Sequence, residues 1–182
     1  MRDPQGQFLR VTVLGKASYK GGVDLDWSQR LYNDLKANLQ NLNLESTIHL
    51  LYLVTPYDAI STINPQWMTY FNSLSCLDPI EIKAAELIGV RESYLAMRAR
   101  GVTNFKSKVD DITIARFYLT LVLRDLMAQK SVWEVAAKYN LNRGFIQGLI
   151  QRASAFSISV MRFTEELKEF WAYPLLFKDY IP

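Results

Sequence analysis

The sequence predicts a mainly α-helical bundle with a short β-hairpin at its front. Three observations lead there. Apolar residues recur at helical spacing through most of the 182 residues. The pairs Asn64-Pro65 and Asp78-Pro79, and the set Ser131 to Glu134, are signatures of helix starts. Only eight Gly and six Pro interrupt the chain, which leaves room for long helices.

Residues 8–14 (FLRVTVL) alternate and are rich in β-branched side chains, so they predict a half-buried strand. Gly15 and Gly21-Gly22 punctuate it as a hairpin. From Asp24 the grammar changes: Trp27, Leu31, Leu35 and Leu39 recur every four residues and predict a helix over 25–41. Residues 46–54 form a second, strongly apolar helix that stops near Thr55-Pro56. Asn64 and Pro65 start a helix through PQWMTYF, and Asp78-Pro79 another through IEIKAAELIGV. Residues 110–128 are apolar nearly all round, the mark of a central, buried helix. Ser131 and Glu134 form a capping box for a short helix with Val132, Val135, Ala136 and Tyr139 as its apolar positions. Asn140-Leu141-Asn142 breaks that helix. A stripe of Ile146, Leu149, Ile150, Ala153, Phe156, Val160, Phe163, Leu167 and Phe170 then predicts one long helix over about 142–171, ending before Pro174.

Composition narrows the function. With 49% apolar and 13% aromatic residues the chain is no disordered segment, and its length suits one ordinary domain or one plus a fragment. A net charge of +3 permits an acidic partner without demanding one. The single cysteine, Cys76, excludes an internal disulfide framework and a Cys-based metal site, and fits a reducing compartment. The N-terminus lacks the apolar core of a secretory signal. The run IHLLYLV at 48–54 falls far short of the ~20 residues that cross a bilayer. A soluble intracellular domain without membrane contact is expected.

No phosphate loop and no Gly-rich dinucleotide turn occurs. His49 lies inside an apolar helix and reads as a core histidine bonded to backbone. Cys76 has no neighbouring His or basic helix start, and reads as a small, semi-buried apolar residue. The pairs Asp110-Asp111 and Glu165-Glu166 read as solvated helix surfaces. No complete active site emerges, so the chain itself is expected to be no enzyme.

Two features suit binding. The segment MRARGVTNFKSK carries Arg98, Arg100, Lys106 and Lys108 with no acid, around Gly101, Asn104 and Phe105. Such a loop neutralises phosphates; a charged linker is the alternative. The second feature is KYNLNRGFIQGLIQRASAF, residues 138–156. At 100° per residue its outer face collects Arg143, Gln147, Gln151, Ser154, Ala155, Ile158 and Arg162, then turns acidic at Glu165, Glu166 and Glu169. Gln and Arg donate to phosphates, and small residues let bases lie close; a solvated face is the alternative. The outline of helix 131–139, break and helix also matches a helix-turn-helix. The predicted length of the second helix and the lack of a central Gly in the turn favour a spine over a reading head.

The stretches VTVLGKASYKGGVDL, LYNDLKANLQNL, IHLLYLVTPYD, NPQWMTYF, AAELIGVRESYLAMRARG and KYNLNRGFIQGLIQ carry a further signal. In this order, over about residues 10–173, they resemble the C-terminal part of the POLQ-like helicases, the animal helicase Q proteins related to the helicase half of DNA polymerase theta. LVTPYD and NPQWMTYF look closer to helicase Q. In that family two RecA-like domains bind and hydrolyse ATP, followed by a winged helix and a helical domain shaped like a ratchet. The resemblance implies that residues 1–22 are the C-terminal end (wing) of the winged-helix domain, with the hairpin as its remnant, and that 23–182 form the ratchet domain. It implies a long helix, here 142–171, across the path of single-stranded DNA, which each ATP-driven closure advances 3′ to 5′. Archaeal relatives carry on that helix an Arg and a Trp whose positions fall here on Gln147 and Ala155. This departure removes the stacking aromatic from that site, and Phe156 points inward.

The family's phosphate loop, DEAH-type box and arginine fingers are missing from the sequence. The resemblance therefore implies a DNA-binding fragment with no cofactor of its own, ATP and Mg belonging to the parent helicase. Its implied partners are single-stranded or forked DNA, the parent's RecA-like and winged-helix domains, and a recombinase or single-strand-binding protein, in nuclear DNA repair and recombination. A protein–protein interaction module of a repair factor is the alternative, and a helix-turn-helix duplex binder a weaker one.

Overall fold

The computed structural model describes residues 10–40, 47–103 and 109–175, and every regular element among them is helical. The order is α1 (Val13–Gly21), α2 (Leu25–Gln40), α3 (Ile48–Val54), a 3₁₀ turn (Asp58–Thr62), α4 (Trp67–Ser75), α5 (Pro79–Ile88), α6 (Glu92–Ala99), α7 (Asp111–Met127), α8 (Val132–Tyr139), α9 (Arg143–Glu165) and a 3₁₀ turn (Lys168–Phe170).

The predicted N-terminal strand is replaced by α1; residues 8 and 9 of it lie outside the described residues. The Thr12 hydroxyl accepts from the Gly15 amide at 3.0 Å and caps the first turn. Gly22, at φ 64°, closes the last turn in the left-handed region that glycine enters without penalty. Tertiary packing overrides the β-branched pattern: Ala17, Ser18 and Gly21 are buried with Leu14 against the core, a helical period, while Val11 and Val13 stay exposed. At Gly21 the backbone of α1 lies close against α9. A Cβ there would stand 2.8 Å from the Ser159 carbonyl oxygen and 3.0 Å from the Phe163 Cβ. Gly21→Val is therefore expected to cost about 2 kcal/mol by overpacking, read as a fall of several degrees in Tm.

Helices α2, α3, α5, α7 and α8 form where the periodicity places them. Asp78 and Glu81 make a reciprocal capping box on α5, as Ser131 and Glu134 do on α8. α4 starts two residues after Pro65, with Gln66 as its N-cap, because the Gln66 amide donates instead to the Tyr118 hydroxyl (3.4 Å). α9 covers 23 residues and stops at Glu165, short of the predicted 171. Leu167 adopts an extended conformation (φ −110°, ψ 97°), yet Leu167 and Phe170 remain buried. The apolar period thus continues past the end of the helix, which it does not reveal.

The core has two parts. One gathers Tyr70, Leu74, Leu95, Tyr118, Val122 and Leu149 from α4 to the front of α9. The other gathers Leu31, Leu35, Leu53, Val160 and Phe163 under α1 and α2. α3 serves both, sending Ile48 and Tyr52 to the first and Leu50 and Leu53 to the second. α7 runs through the centre, as its apolar circumference predicts. Its Arg116 is nonetheless fully buried and pairs with Asp34 of α2 at 2.7 Å. The same guanidinium donates to the carbonyls of Tyr52 and Thr55.

Candidate nucleic-acid interface

The Asn142 side chain accepts from the Gly144 amide at 2.8 Å and fixes the start of α9. Ile146, Leu149, Ala153, Ser157, Val160 and Phe163 then face the core. This phase leaves Arg143, Gln147, Gln151, Ser154, Ala155, Ile158 and Arg162 all exposed, on the face predicted for them. Ile150 departs from its expected core position: it is 43% exposed and, with Ile158, adds an apolar element to the outer surface. Phe156 is half-buried and packs edge-on against Tyr57, at 5.8 Å between ring centroids. No Asp or Glu occurs from Arg143 to Thr164, so nothing on α9 before Glu165 opposes an anion.

The acidic end is not a simple solvated surface. Glu165 is exposed, but Glu166 binds Lys16 at 2.9 Å and also Lys20, clamping α1 to the end of α9. Hydrogen bonds from Lys20 and Lys16 hold its carboxyl below the usual range. Asp110 and Asp111 are both exposed, but Asp110 also caps α7, accepts from the Thr113 hydroxyl at 2.6 Å and pairs with Arg30.

The basic segment divides. Arg98 is half-buried at the end of α6, its guanidinium 4.1 Å from the centroid of the Trp67 ring on α4. There it lines a groove with Pro65, Tyr94 and Asp111. Arg100 is exposed as the C-cap of α6. Lys106 and Lys108, with Asn104 and Phe105, lie outside the described residues.

Sequence reasoning passed over Trp133. It lies off the apolar stripe of α8, inside the capping box, and is 66% exposed. The Arg143 guanidinium sits over it, 3.5 Å from the ring centroid. The two flank a surface groove of about 570 Å³ lined by Ala136, Ala137, Leu141 and Asn142. An off-stripe Trp within one helix-break of an Arg was the available signal.

Other chemistry is sparse. His49 is buried; desolvation lowers its pKa, opposed by a hydrogen bond with the Ala84 backbone, as expected of a core histidine. Cys76 is exposed and free, not semi-buried, because it caps the end of α4. Among the described residues no group of three or more His, Cys, Asp or Glu is placed to hold a metal ion, and no helix is long and apolar enough to cross a membrane.

Comparison with known proteins adds the family. The family described as "DNA_pol_Q helicase like region helical domain" matches residues 28–173. A "Helicase POLQ-like" protein of Homo sapiens is 46% identical over 168 residues, 92% of this chain and 15% of that protein. The protein of the same description from Drosophila melanogaster is 29% identical over 93% of this chain and 16% of its own length. A "DNA polymerase theta" of Drosophila melanogaster is 34% identical over 87% of this chain and 8% of that protein. The chain thus spans less than one fifth of the length of each of these relatives.

Proposed function

The chain belongs to the POLQ-like helicase family, as the helical domain of its helicase region, and from that membership we propose that its α9 face guides single-stranded DNA. The observation that carries this reading is the exposed file from Arg143 to Arg162, which contains two cations, amides and small residues but no acid. Guanidinium and amide groups there donate to phosphates, and Ser154 and Ala155 leave room for bases. With 1.5 Å rise per residue the helix is about 35 Å long, more than a recognition helix needs to fill a major groove.

On this reading the segment is non-catalytic and works within an ATP-dependent 3′-to-5′ helicase of nuclear DNA repair and recombination. ATP and Mg act on the RecA-like domains, and residues 23–182 serve as the ratchet domain. Residues 1–22 belong to the C-terminal end of the winged-helix domain. A forked substrate would present its unpaired strand to α9, with the basic residues Arg98, Arg100, Lys106 and Lys108 as further contacts for its phosphates. A recombinase or single-strand-binding protein would meet the parent on that strand.

The test is fluorescence polarisation of a labelled 20-nucleotide dT strand titrated with the 182-residue chain at low salt. Micromolar binding is expected, weakened several-fold in the Arg143→Ala/Gln147→Ala variant. Unchanged affinity removes this face from the interface. Absence of binding assigns the face, with its exposed Ile150 and Ile158, to a protein partner.

A further inference from the structure

We propose that Trp133 and Arg143 form a stacking subsite for one unpaired DNA base at the head of the α9 track; the proposal rests on that track's carrying the strand. The indole contributes little to the fold. The buried residues of α8 are Val135, Ala136 and Tyr139, while Trp133 stays 66% exposed.

The surroundings select the occupant. Arg143 is exposed and makes no ion pair among the described residues, so its charge is available to an anion. Its guanidinium lies on the indole at 3.5 Å, the arrangement in which cation and aromatic together present a flat, electropositive platform. The adjoining groove is walled by Ala136 and Ala137, whose short side chains leave a flat ring room to approach, and by Asn142, a polar neighbour. No carboxylate lines it. A stack of this kind takes the π-face of any base, and the guanidinium donates to the phosphate attached to it. Continuity points the same way: Arg143 is at once the roof of this groove and the first member of the exposed file through Gln147 and Gln151.

The test uses the 182-residue chain and two labelled oligonucleotides at low salt: dT₂₀, and a strand of equal length whose sugars carry no bases. Trp133→Ala is expected to weaken dT₂₀ binding about tenfold, within the range for one stacked base, while Trp133→Phe stays within about threefold of the parent. The abasic strand should bind the parent more weakly than dT₂₀ does, and Trp133→Ala should not weaken it further. Thermal unfolding checks that both variants keep the parental Tm, as their exposed position predicts. Equal dT₂₀ affinity in Trp133→Ala overturns the subsite; if Arg143→Ala/Gln147→Ala still weakens binding, the α9 track survives it. An equal loss on the abasic strand also overturns it, since the indole would then act without a base. A parent chain that binds neither strand overturns both.

Discussion

Arg116→Met is expected to lower stability by about 3–5 kcal/mol, a fall of roughly 10 °C in Tm for a chain of this size. Arg116 has no exposed side-chain surface, and Asp34 keeps 19% of its own. The pair, 2.7 Å apart, is one strand of a net that joins α7, α2 and the end of α3. Arg116 also donates to the carbonyls of Tyr52 and Thr55, and its guanidinium stacks 3.7 Å from the Tyr57 ring centroid and 4.3 Å from that of Tyr52. The Tyr57 hydroxyl donates to Asp34 at 2.6 Å. Burial pushes the Tyr57 phenol above its ordinary pKa, against the opposing pull of Arg116, so it remains a donor. Removing the guanidinium leaves a partly buried carboxylate and two inward carbonyls without their donor. Adding Asp34→Asn in the Arg116→Met background should recover part of the loss, because the orphaned charge is then gone. A thermal double-mutant cycle reads both; a single-variant loss below 1 kcal/mol would show that water replaces the guanidinium freely.

Asp125→Asn is expected to cost about 2 kcal/mol at neutral pH. Asp125 is 3% exposed, near the end of α7. It accepts from Lys130 and Lys138, each at 2.7 Å, and from the Tyr139 hydroxyl at 3.0 Å. It therefore ties α8, the helix that carries Trp133, to the central helix. Burial opposes its ionisation, but the hydrogen bonds from Lys130 and Lys138 outweigh it and hold the carboxyl below the ordinary value of 3.8. As pH falls, the unfolded chain takes up the proton first. The stabilisation is present above the unfolded value and is lost as pH falls through the depressed folded one. Unfolding of parent and Asp125→Asn at several pH values should give a gap that is widest near pH 7 and narrows below about pH 4. A gap independent of pH would assign the effect to packing.

What the sequence disclosed follows from the range of each cause. The N-cap at Asp78 and the capping box at Ser131 are settled within four residues, and both form where they are read. The exposed file on α9 is a matter of helical phase alone, so every predicted member is found at the surface. Causes that act across the chain were hidden. Leu14, Ala17 and Gly21 serve a helix because α9 lies beneath them, while their β-branched neighbours suggest a strand. The end of α9 at Glu165 is masked because Leu167 and Phe170 regain the core beyond it. Arg116 sits unannounced in an apolar helix, since its partner is 82 positions away. Trp133 was legible only as a residue off its helix's stripe; that Arg143 covers it needed the turn at Asn140, in the left-handed region at φ 50°.

The most direct measurement of the central claim is the salt dependence of single-strand affinity. The parent chain and Arg143→Ala/Arg162→Ala would each be titrated with labelled dT₂₀ between 25 and 200 mM salt (roughly the range in which released counterions dominate). If α9 carries the strand, the parent's log affinity falls linearly with log salt. The double variant then binds more weakly at low salt, with a slope shallower by about 1.4, two phosphates' worth for single strands. Equal slopes and equal affinities would contradict the account, because the strand would then be bound elsewhere on the molecule.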